Sequence, residues 1–486
     1  MSPPYIALGI IALVVLATVI FGLLAVRRLG MNPEQYIVGG RSFGALLLWV
    51  LLAGETYTSF TFLGAAGWSY GRGAPAFYIL CYGAVAYAIS YFLAPLIWRV
   101  GKDRGLLTAP DFFADRYGSK SLAVVVALVG FVFLIPYVTL QLSGLQILLT
   151  LAGYGTIDAR LAVGGAFILI TLFVFVSGLR GTAWASIIKD ALVLAAVAFA
   201  GIVLPVHFFG SPAHVISMVL AKHPRWFTLA SGTAPYGTLW FVTTVILTAL
   251  GFYMWPQSMA AIYSAKTADA LRRNAIALPF YQIMLLLVYL AGFTALLIVP
   301  GLKGAAADES FMLVIQKYYS PTVLGFIAAA GCLAALVPVT GQLIAAASLI
   351  TKNIMKDVFN ASGSQARQTA QTRAVVVMVA GLALAFWLFR PPSLVELLLL
   401  GYNGVAQLFP GVMLAFTRWR ASAWGVGVGI IAGIVTLVVL QLLGYATDFD
   451  GANPGLVALG VNALLCVVVS AFSRRWARAE GALTAI

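Results

Sequence analysis

The chain has 486 residues, of which 62% are hydrophobic and only 9% are charged, and its mean hydropathy is +1.00. A soluble domain carries about 25% charged residues, so this composition excludes a soluble globular protein. The net charge of +14 would suggest nucleic-acid binding in a soluble protein. In a membrane protein, the positions of the basic residues have to be considered first.

Thirteen stretches of the chain are apolar and long enough to cross a bilayer, which requires about 20 such residues. We call them segments 1 to 13, and their predicted ranges are 5–26, 44–69, 76–98, 121–152, 160–178, 183–205, 237–262, 277–299, 320–350, 374–390, 393–417, 422–444 and 455–472. Segment 1 lacks a preceding basic region and is followed by Arg27 and Arg28, so we interpret it as a retained helix rather than a signal peptide. The sequence therefore predicts an all-α polytopic membrane protein.

Basic residues are distributed unevenly between the two sides of this predicted bundle. With the N-terminus outside, the inner loops hold 21 lysines and arginines and the outer loops hold seven. This asymmetry follows the positive-inside rule and predicts a cytoplasmic C-terminus in the plasma (inner) membrane. The basic charge is thereby explained by topology, and we expect no nucleic-acid partner.

The sequence offers no pattern for a cofactor, a metal site or a catalytic site. Cys81, Cys332 and Cys466 all lie in apolar segments, and the three histidines lie in one predicted loop. This arrangement gives no disulfide framework and no zinc spacing. The HExxH motif is also absent, so we expect neither a metal nor an enzymatic activity.

Segments 2 and 7 are each interrupted near the middle. Segment 2 contains the stretch AGETYTSFTFLG at 53–64, and segment 7 contains Gly251 and Pro256. Segments five apart cross in opposite directions, and such paired breaks point to an inverted-repeat transporter with a site near the midplane. The predicted division of this single transporter domain is 1–41 for an extra helix and loop, 42–206 and 237–417 for the repeats, 422–472 for two extra helices, and 473–486 for a cytoplasmic tail.

Seven motifs resemble those of the sodium:solute symporter family, over about residues 5–475. They are EQYIVGGRSFG (34–44), TFLGAAGWSYGRG (61–73), LTAPDFFADRYGS (107–119), GLRGTAWASIIKD (178–190), WPQSMAAIYSAKT (255–267), AASLITKNI (346–354) and ELLLLGYNGVAQLFPGV (396–412). The resemblance implies a LeuT-like five-plus-five inverted repeat with one N-terminal and two C-terminal extra helices. It also implies transport of a small solute. The loop 264–279 is most similar to that of bacterial monocarboxylate permeases, which carry lactate, pyruvate and alanine.

Members of this family that couple to sodium bind the ion between segments 2 and 9. The resemblance maps backbone carbonyls of that site to Gly54, Tyr57 and Ala334. It places Val337 and Pro338 where two hydroxyl ligands are expected. Sodium requires hard oxygen ligands, and neither of these side chains supplies one. Proton coupling is therefore favoured, and a sodium site shifted to the hydroxyl of Thr340 is the alternative.

Two ionisable residues lie well inside the segments expected to line this region. Lys189 of segment 6 is predicted either to fill the cation site with its ammonium group or to reach the inner membrane interface. Successive helical residues diverge by about 100°, so we do not expect Lys189 to pair with Asp190. Glu55 is interpreted as a structural carboxylate, as the partner of a basic residue, or as a protonatable coupling group.

Substrate contacts are expected around the two breaks and on segment 11. The candidates are Thr56, Tyr57, Thr58, Thr61, Trp255, Gln257, Tyr402, Asn403 and Gln407. For the threonines, the alternative is a hydrogen bond back to the preceding helical turn. No arginine is predicted inside the bilayer to clamp a dicarboxylate, so the expected substrate is a small monocarboxylate or a small amino acid. A membrane sensor of transporter fold is the alternative from another functional class.

Overall fold

The computed structural model describes residues 2–26, 33–360, 365–389, 393–419 and 421–483, and Arg27 and Arg28 lie outside these ranges. The described residues form helices joined by short turns. The helices of ten or more residues are Pro3–Val26, Ala45–Thr56, Tyr78–Arg104, Lys120–Ala152, Ala159–Ala198, Pro212–Lys222, Thr238–Gly251, Ala268–Gln282, Leu285–Ile298, Pro321–Ser348, Gln365–Leu388, Leu394–Val405, Ala423–Leu442 and Pro454–Leu483. The all-α prediction is confirmed.

Ten helical stretches of the described chain are long and apolar enough to cross a membrane, and two bent helix pairs add up to two more spans. The helix Ala159–Ala198 bends at Gly178, where φ is +56°. A residue without a Cβ adopts this left-handed conformation without strain. The bend separates predicted segments 5 and 6, so the thirteen predicted segments all correspond to helical elements.

Both predicted interruptions are breaks in the structure. The helices Ala45–Thr56 and Phe60–Arg72 of segment 2 meet at 54°, and Thr238–Gly251 and Pro256–Ser264 of segment 7 meet at 49°. In segment 2 the chain leaves the helix at Tyr57, where ψ is 90°. In segment 7 Trp255 is extended, and Pro256 begins the second helix. Proline suits that position because the first helical residue needs no N–H donor.

Segment 9 lies at the centre of the bundle. Every residue from Ile327 to Ser348 is buried, and the helix packs against segments 1, 4 and 6. A helix that is apolar on all sides is stable only when surrounded by other helices or lipid. Segment 9 therefore lies in the interior of the bundle, beside the broken segment 2.

Polar contacts fasten the broken segments at both ends of the bundle. The Lys266 N–H donates to the Phe43 carbonyl at 2.9 Å, and the Phe43 N–H donates to the Ser264 carbonyl at 3.0 Å. The beginning of segment 2 is thereby joined to the end of segment 7. At the opposite end, Arg72 forms an ion pair with Glu396 at 3.0 Å. The distribution of basic residues predicts that this Arg72 end faces outward.

Candidate functional site

Threonine hydroxyls form hydrogen bonds with the backbone at the break in segment 2. The Thr61 hydroxyl accepts the Thr58 N–H at 2.8 Å and lies 3.1 and 3.0 Å from the carbonyls of Thr56 and Thr58. The Thr58 hydroxyl accepts the Phe60 N–H at 3.2 Å. Unwound backbone inside a bilayer has to find its partners within the protein. These hydroxyls supply several of them, which gives Thr58 and Thr61 a structural role at the break.

Thr56 also bonds back to its own helix. Its hydroxyl lies 3.0 Å from the Leu52 carbonyl, one turn earlier, and 3.1 Å from the Tyr87 hydroxyl. The alternative proposed for the threonines therefore describes Thr56 well. A direct contact of the three threonines with substrate stays a prediction.

The side chain of Lys189 fills the space beside the break. Its Nζ donates to the Gly54 carbonyl at 2.9 Å and to the Tyr57 carbonyl at 3.2 Å, and it lies 2.8 Å from Oδ1 of Asp190. An ammonium group has three N–H donors, so these three acceptors saturate it. The side chain is 0% exposed. The interfacial alternative is therefore wrong, and the ammonium group lies at the carbonyls of the predicted cation site.

The expectation that Lys189 and Asp190 do not pair is also wrong. Their Cβ atoms point in different directions, but the flexible four-carbon chain of lysine can turn back towards a neighbouring carboxylate. The attraction between the two charges is strong here because little water screens it. The Tyr281 hydroxyl donates to the same Oδ1 at 3.3 Å. The result is a buried ion pair without net charge.

Segment 9 presents apolar side chains to this region. Val337 packs against Ala185 of segment 6 and Val19 of segment 1, and Pro338 is buried within the helix. The Thr340 hydroxyl donates to the Leu336 carbonyl at 2.9 Å, as threonines in membrane helices often do.

The residues around Lys189 do not fit a sodium ion. The ammonium group already binds the carbonyls of Gly54 and Tyr57. Val337 and Pro338 offer no side-chain oxygen to replace them. A second cation beside Nζ would also meet a like charge at short range.

Glu55 is the most exposed residue between Val50 and Tyr70. Its Oε2 has no hydrogen-bond partner, and none of the ion pairs among the described residues includes it. A Cβ added to Gly341 would lie 2.9 Å from Oε1 of Glu55 and 3.9 Å from the Cβ of Gln257. The carboxyl group of this segment 2 residue thus faces segments 7 and 9, and its Oε2 is available to bind a proton.

Four aromatic side chains gather beside the break in segment 7. The ring of Trp255 lies 4.8 Å from that of Tyr137 and 5.3 Å from that of Tyr402, and Tyr402 lies 5.7 Å from Tyr82. We call these four residues the aromatic group. Gln257, two residues after Trp255, is 3% exposed, and its Oε1 has no donor among the described residues.

Asn403 and Gln407 lie on another face of segment 11. The Gln407 amide donates to the Asn403 carbonyl at 3.0 Å and to the Gly455 carbonyl at 3.3 Å. Its Oε1 accepts the Asn462 amide at 3.1 Å. Gly455 and Asn462 belong to segment 13, so Gln407 joins segments 11 and 13. No hydrogen bond given above for the described residues joins Gln407 or Asn403 to the aromatic group, and a contact of either residue with substrate stays a prediction.

The chain is similar to known proteins over most of its length. The sequence model described as "Sodium:solute symporter family" matches residues 36–433. The chain belongs to the sodium:solute symporter family. It is 39% identical over 479 residues to an uncharacterized symporter, YhjB, of Bacillus subtilis, covering 96% of this chain and 97% of that protein. It is 30% identical to a monocarboxylate transport permease protein of Rhizobium johnstonii, over 90% of each chain.

Solved structures of symporters share the fold of this symporter. A Na⁺-coupled sialic acid symporter in a substrate-bound, outward-open state matches with a TM-score of 0.80 and 17% identity, over 96% of this chain and 98% of that one. The nucleobase-cation-symport-1 family transporter Mhp1 matches with a TM-score of 0.56 and 12% identity, over 92% and 95%. These likenesses establish the LeuT-type fold that the sequence motifs implied.

Three residues at the site of this symporter were missed from the sequence. Tyr137 and Tyr82 complete the aromatic group, and Tyr281 contacts Asp190. All three lie in long apolar segments with many aromatic neighbours. The sequence gives no signal for which tyrosine faces the breaks, because that depends on how distant segments pack.

Proposed function

We propose that this symporter takes up a small monocarboxylate such as lactate or pyruvate, or a small amino acid such as alanine, driven by the proton gradient. The observation that carries the proton coupling is the Lys189 ammonium bound to the Gly54 and Tyr57 carbonyls. A covalently attached cation cannot dissociate as sodium does. Its charge changes only when it loses or gains a proton.

The geometry around Lys189 supports a link between proton loss and movement of segment 2. A neutral amine has two N–H groups and one lone pair, and the lone pair cannot bind a carbonyl oxygen. Deprotonation of Nζ therefore removes at least one of its three contacts. The contact of Lys189 in segment 6 with the break in segment 2 is then weaker, so segment 2 can tilt relative to segments 6 and 9. Glu55 is the second candidate proton carrier in this proposal.

The aromatic group and the break in segment 7 support a small anionic substrate. The second half of segment 7 begins at Pro256, and the N-terminus of a helix attracts a negatively charged group. The free Oε1 of Gln257 can accept a hydrogen bond from an α-hydroxyl or α-ammonium group. The resemblance to a monocarboxylate permease agrees with these features. We therefore assign Trp255, Gln257, Tyr402 and Tyr137 as the substrate-contacting residues.

A competition experiment tests the substrate class. The purified symporter is reconstituted into liposomes, and uptake of labelled lactate or pyruvate is measured with excess unlabelled compounds outside. We expect acetate, propionate and alanine to compete, because each fits a site that holds one carboxylate. Competition by sugars without competition by short carboxylates would contradict the proposal. Binding of a short carboxylate without accumulation under any gradient would favour a sensor.

A further inference from the structure

The predicted outer end of the bundle contains a buried carboxyl group that the transport site does not use. Asp308 lies in the turn Gly304–Glu309 between segments 8 and 9, and its side chain is 2% exposed. Its Oδ2 accepts the N–H of Leu394, the first residue of the segment 11 helix, at 2.9 Å. Its Oδ1 is buried and has no partner among the described residues.

Asp308 is in direct contact with the outer half of segment 2. A Cβ added to Gly67 would lie 2.7 Å from the Cα and 2.8 Å from the N of Asp308. A Cβ added to Gly64 would lie 3.1 Å from the Cβ of Leu394. Glycine at both positions therefore allows segment 2, the Asp308 turn and the start of segment 11 to meet closely.

Two polar contacts close the same junction further out. The Trp68 indole N–H donates to the Ser393 hydroxyl at 3.3 Å, and Arg72 pairs with Glu396 at 3.0 Å. We call this junction of segment 2, segment 11 and the Asp308 turn the outer gate. In this structure the three parts of the outer gate are in contact, so the gate is closed. Separation of segment 2 from segment 11 and the Asp308 turn would expose Asp308 to water.

The charged groups that face Asp308 are mostly negative. Its own turn contributes Glu309, and segment 11 contributes Glu396. The outer half of segment 2 contributes Arg72, which is engaged with Glu396, and Tyr70, whose hydroxyl donates to a backbone carbonyl. The helix that follows begins with neutral Ser310 and has its lysine two turns away. Burial, with smaller contributions from Glu396 and Glu309, raises the pKa of Asp308 to about 7 against the opposing effect of the Leu394 N–H.

We propose that Asp308 is a proton-binding site of the outer gate, which closes with a proton on this carboxyl group and opens as the proton leaves. The proton comes from water on the outer side and returns to it. The role of this proton in uptake rests on the proposed function, because a proton-driven symporter has to couple closure of the outer gate to proton binding. Proton binding to Asp308 itself does not depend on the identity of the substrate.

The sign of the effect follows from the two environments of Asp308. In the open gate the hydrated carboxyl group has a pKa of about 3.9, and in the closed gate its pKa is about 7. Between these values the closed form binds the proton and the open form does not, so acid favours closure. The ratio of closed to open gates should rise about fivefold from pH 7 to 6 and about tenfold from pH 6 to 5. Above pH 8 the dependence disappears.

The experiment measures how readily a cysteine at the gate reacts with a membrane-impermeant maleimide. The reporter is Ser393→Cys, in a background in which Cys81, Cys332 and Cys466 are replaced by alanine. Sealed vesicles without substrate are labelled from pH 5 to 8. Each rate is divided by that of Ser231→Cys, an exposed position in an outer loop, which removes the pH dependence of the thiol itself. Normalised labelling should fall by the factors given above as the pH decreases.

Three variants distinguish Asp308 from its neighbours. Asp308→Asn keeps the shape and removes the titration, so its labelling should be low and independent of pH. Glu309→Gln is the matched control on the same turn and should keep the pH dependence, with its midpoint slightly lower because one small contribution to the pKa of Asp308 is lost. Glu396→Gln removes the ion pair with Arg72, so it should raise labelling at every pH, again with the pH dependence kept and its midpoint slightly lower. A wild-type slope in Asp308→Asn, or flat labelling in the wild type, would overturn the proposal.

A second measurement covers the case in which the cysteine reporter disturbs the fold. Hydrogen exchange of peptides spanning 60–72 and 304–320 is compared in the cysteine-unmodified wild type and Asp308→Asn at the same pH, so that intrinsic rates cancel. The wild type should be less protected than the variant at pH 8 and equally protected at pH 5. Equal protection at both pH values would contradict the proposal. Neither readout requires uptake, so a failure of the proposed function leaves both results interpretable.

Discussion

Lys189→Ala is expected to abolish proton-driven accumulation of substrate while leaving measurable substrate exchange. The variant has no ammonium group at the carbonyls of Gly54 and Tyr57, so the cation site can no longer gain or lose a proton. Exchange should persist because the aromatic group, which we propose to contact the substrate, is unchanged. Accumulation and exchange are measured in the same proteoliposomes, with and without an inward proton gradient.

The Lys189 experiment needs a control for folding. Removing one partner of a buried ion pair leaves the Asp190 carboxylate unpaired, at a cost of about 3–5 kcal/mol. The double variant Lys189→Met with Asp190→Asn removes both charges, so it should fold more stably than Lys189→Ala and still fail to accumulate substrate. Lys266→Ala, at an exposed lysine, should behave as wild type. Wild-type accumulation by the double variant would show that Lys189 is not the proton carrier.

Glu55→Gln is expected to change the pH profile of uptake. Glutamine resembles a permanently protonated carboxyl group. The change in uptake rate with pH that reflects release of the Glu55 proton should therefore disappear. The position favours such a role because Oε2 is buried and has no hydrogen-bond partner among the described residues. Initial rates of uptake between pH 5 and 8 provide the measurement, with the exposed Glu34→Gln as the matched control.

The Glu55 and Lys189 variants are informative together. If both accumulate substrate as the wild type does under an inward proton gradient, neither group carries the coupling proton. Glu55 would then be a carboxylate needed for folding at the break of segment 2. A changed profile in Glu55→Gln with lost accumulation in Lys189→Ala would assign a proton to each.

The breaks in segments 2 and 7 could be predicted because their causes are local. Pro256 lacks an N–H donor and suits the first position of a helix, and Gly54 weakens the helix that ends at Thr56. The sequence predicts two alternative places for Lys189, the cation site and the inner membrane interface. Val337 and Pro338, which lack side-chain oxygens, favour the first place, and the burial of Lys189 among the packed segments decides between them.

The contacts that could not be predicted depend on packing between distant segments. Gln407 faces segment 13 because Asn462 and Gly455 offer partners there, about 50 residues further along the chain. The pairing of Lys189 with Asp190 depends on the path of a flexible side chain, which helix geometry alone does not determine. The sequence gives no signal for Asp308, because a lone aspartate in a loop is usually solvated and its burial arises only where segments 2 and 11 meet.

Replacement of sodium is the measurement that tests most directly whether the Lys189 ammonium has taken the place of the family's sodium ion. Purified symporter in liposomes is given an inward proton gradient, and sodium on both sides is replaced by potassium or choline at fixed pH. The arrangement of Lys189, Gly54 and Tyr57 predicts nearly unchanged initial rates, and a sodium gradient without a proton gradient should drive no accumulation. A steep, saturable dependence on sodium would contradict the account and favour a shifted sodium site that uses Thr340.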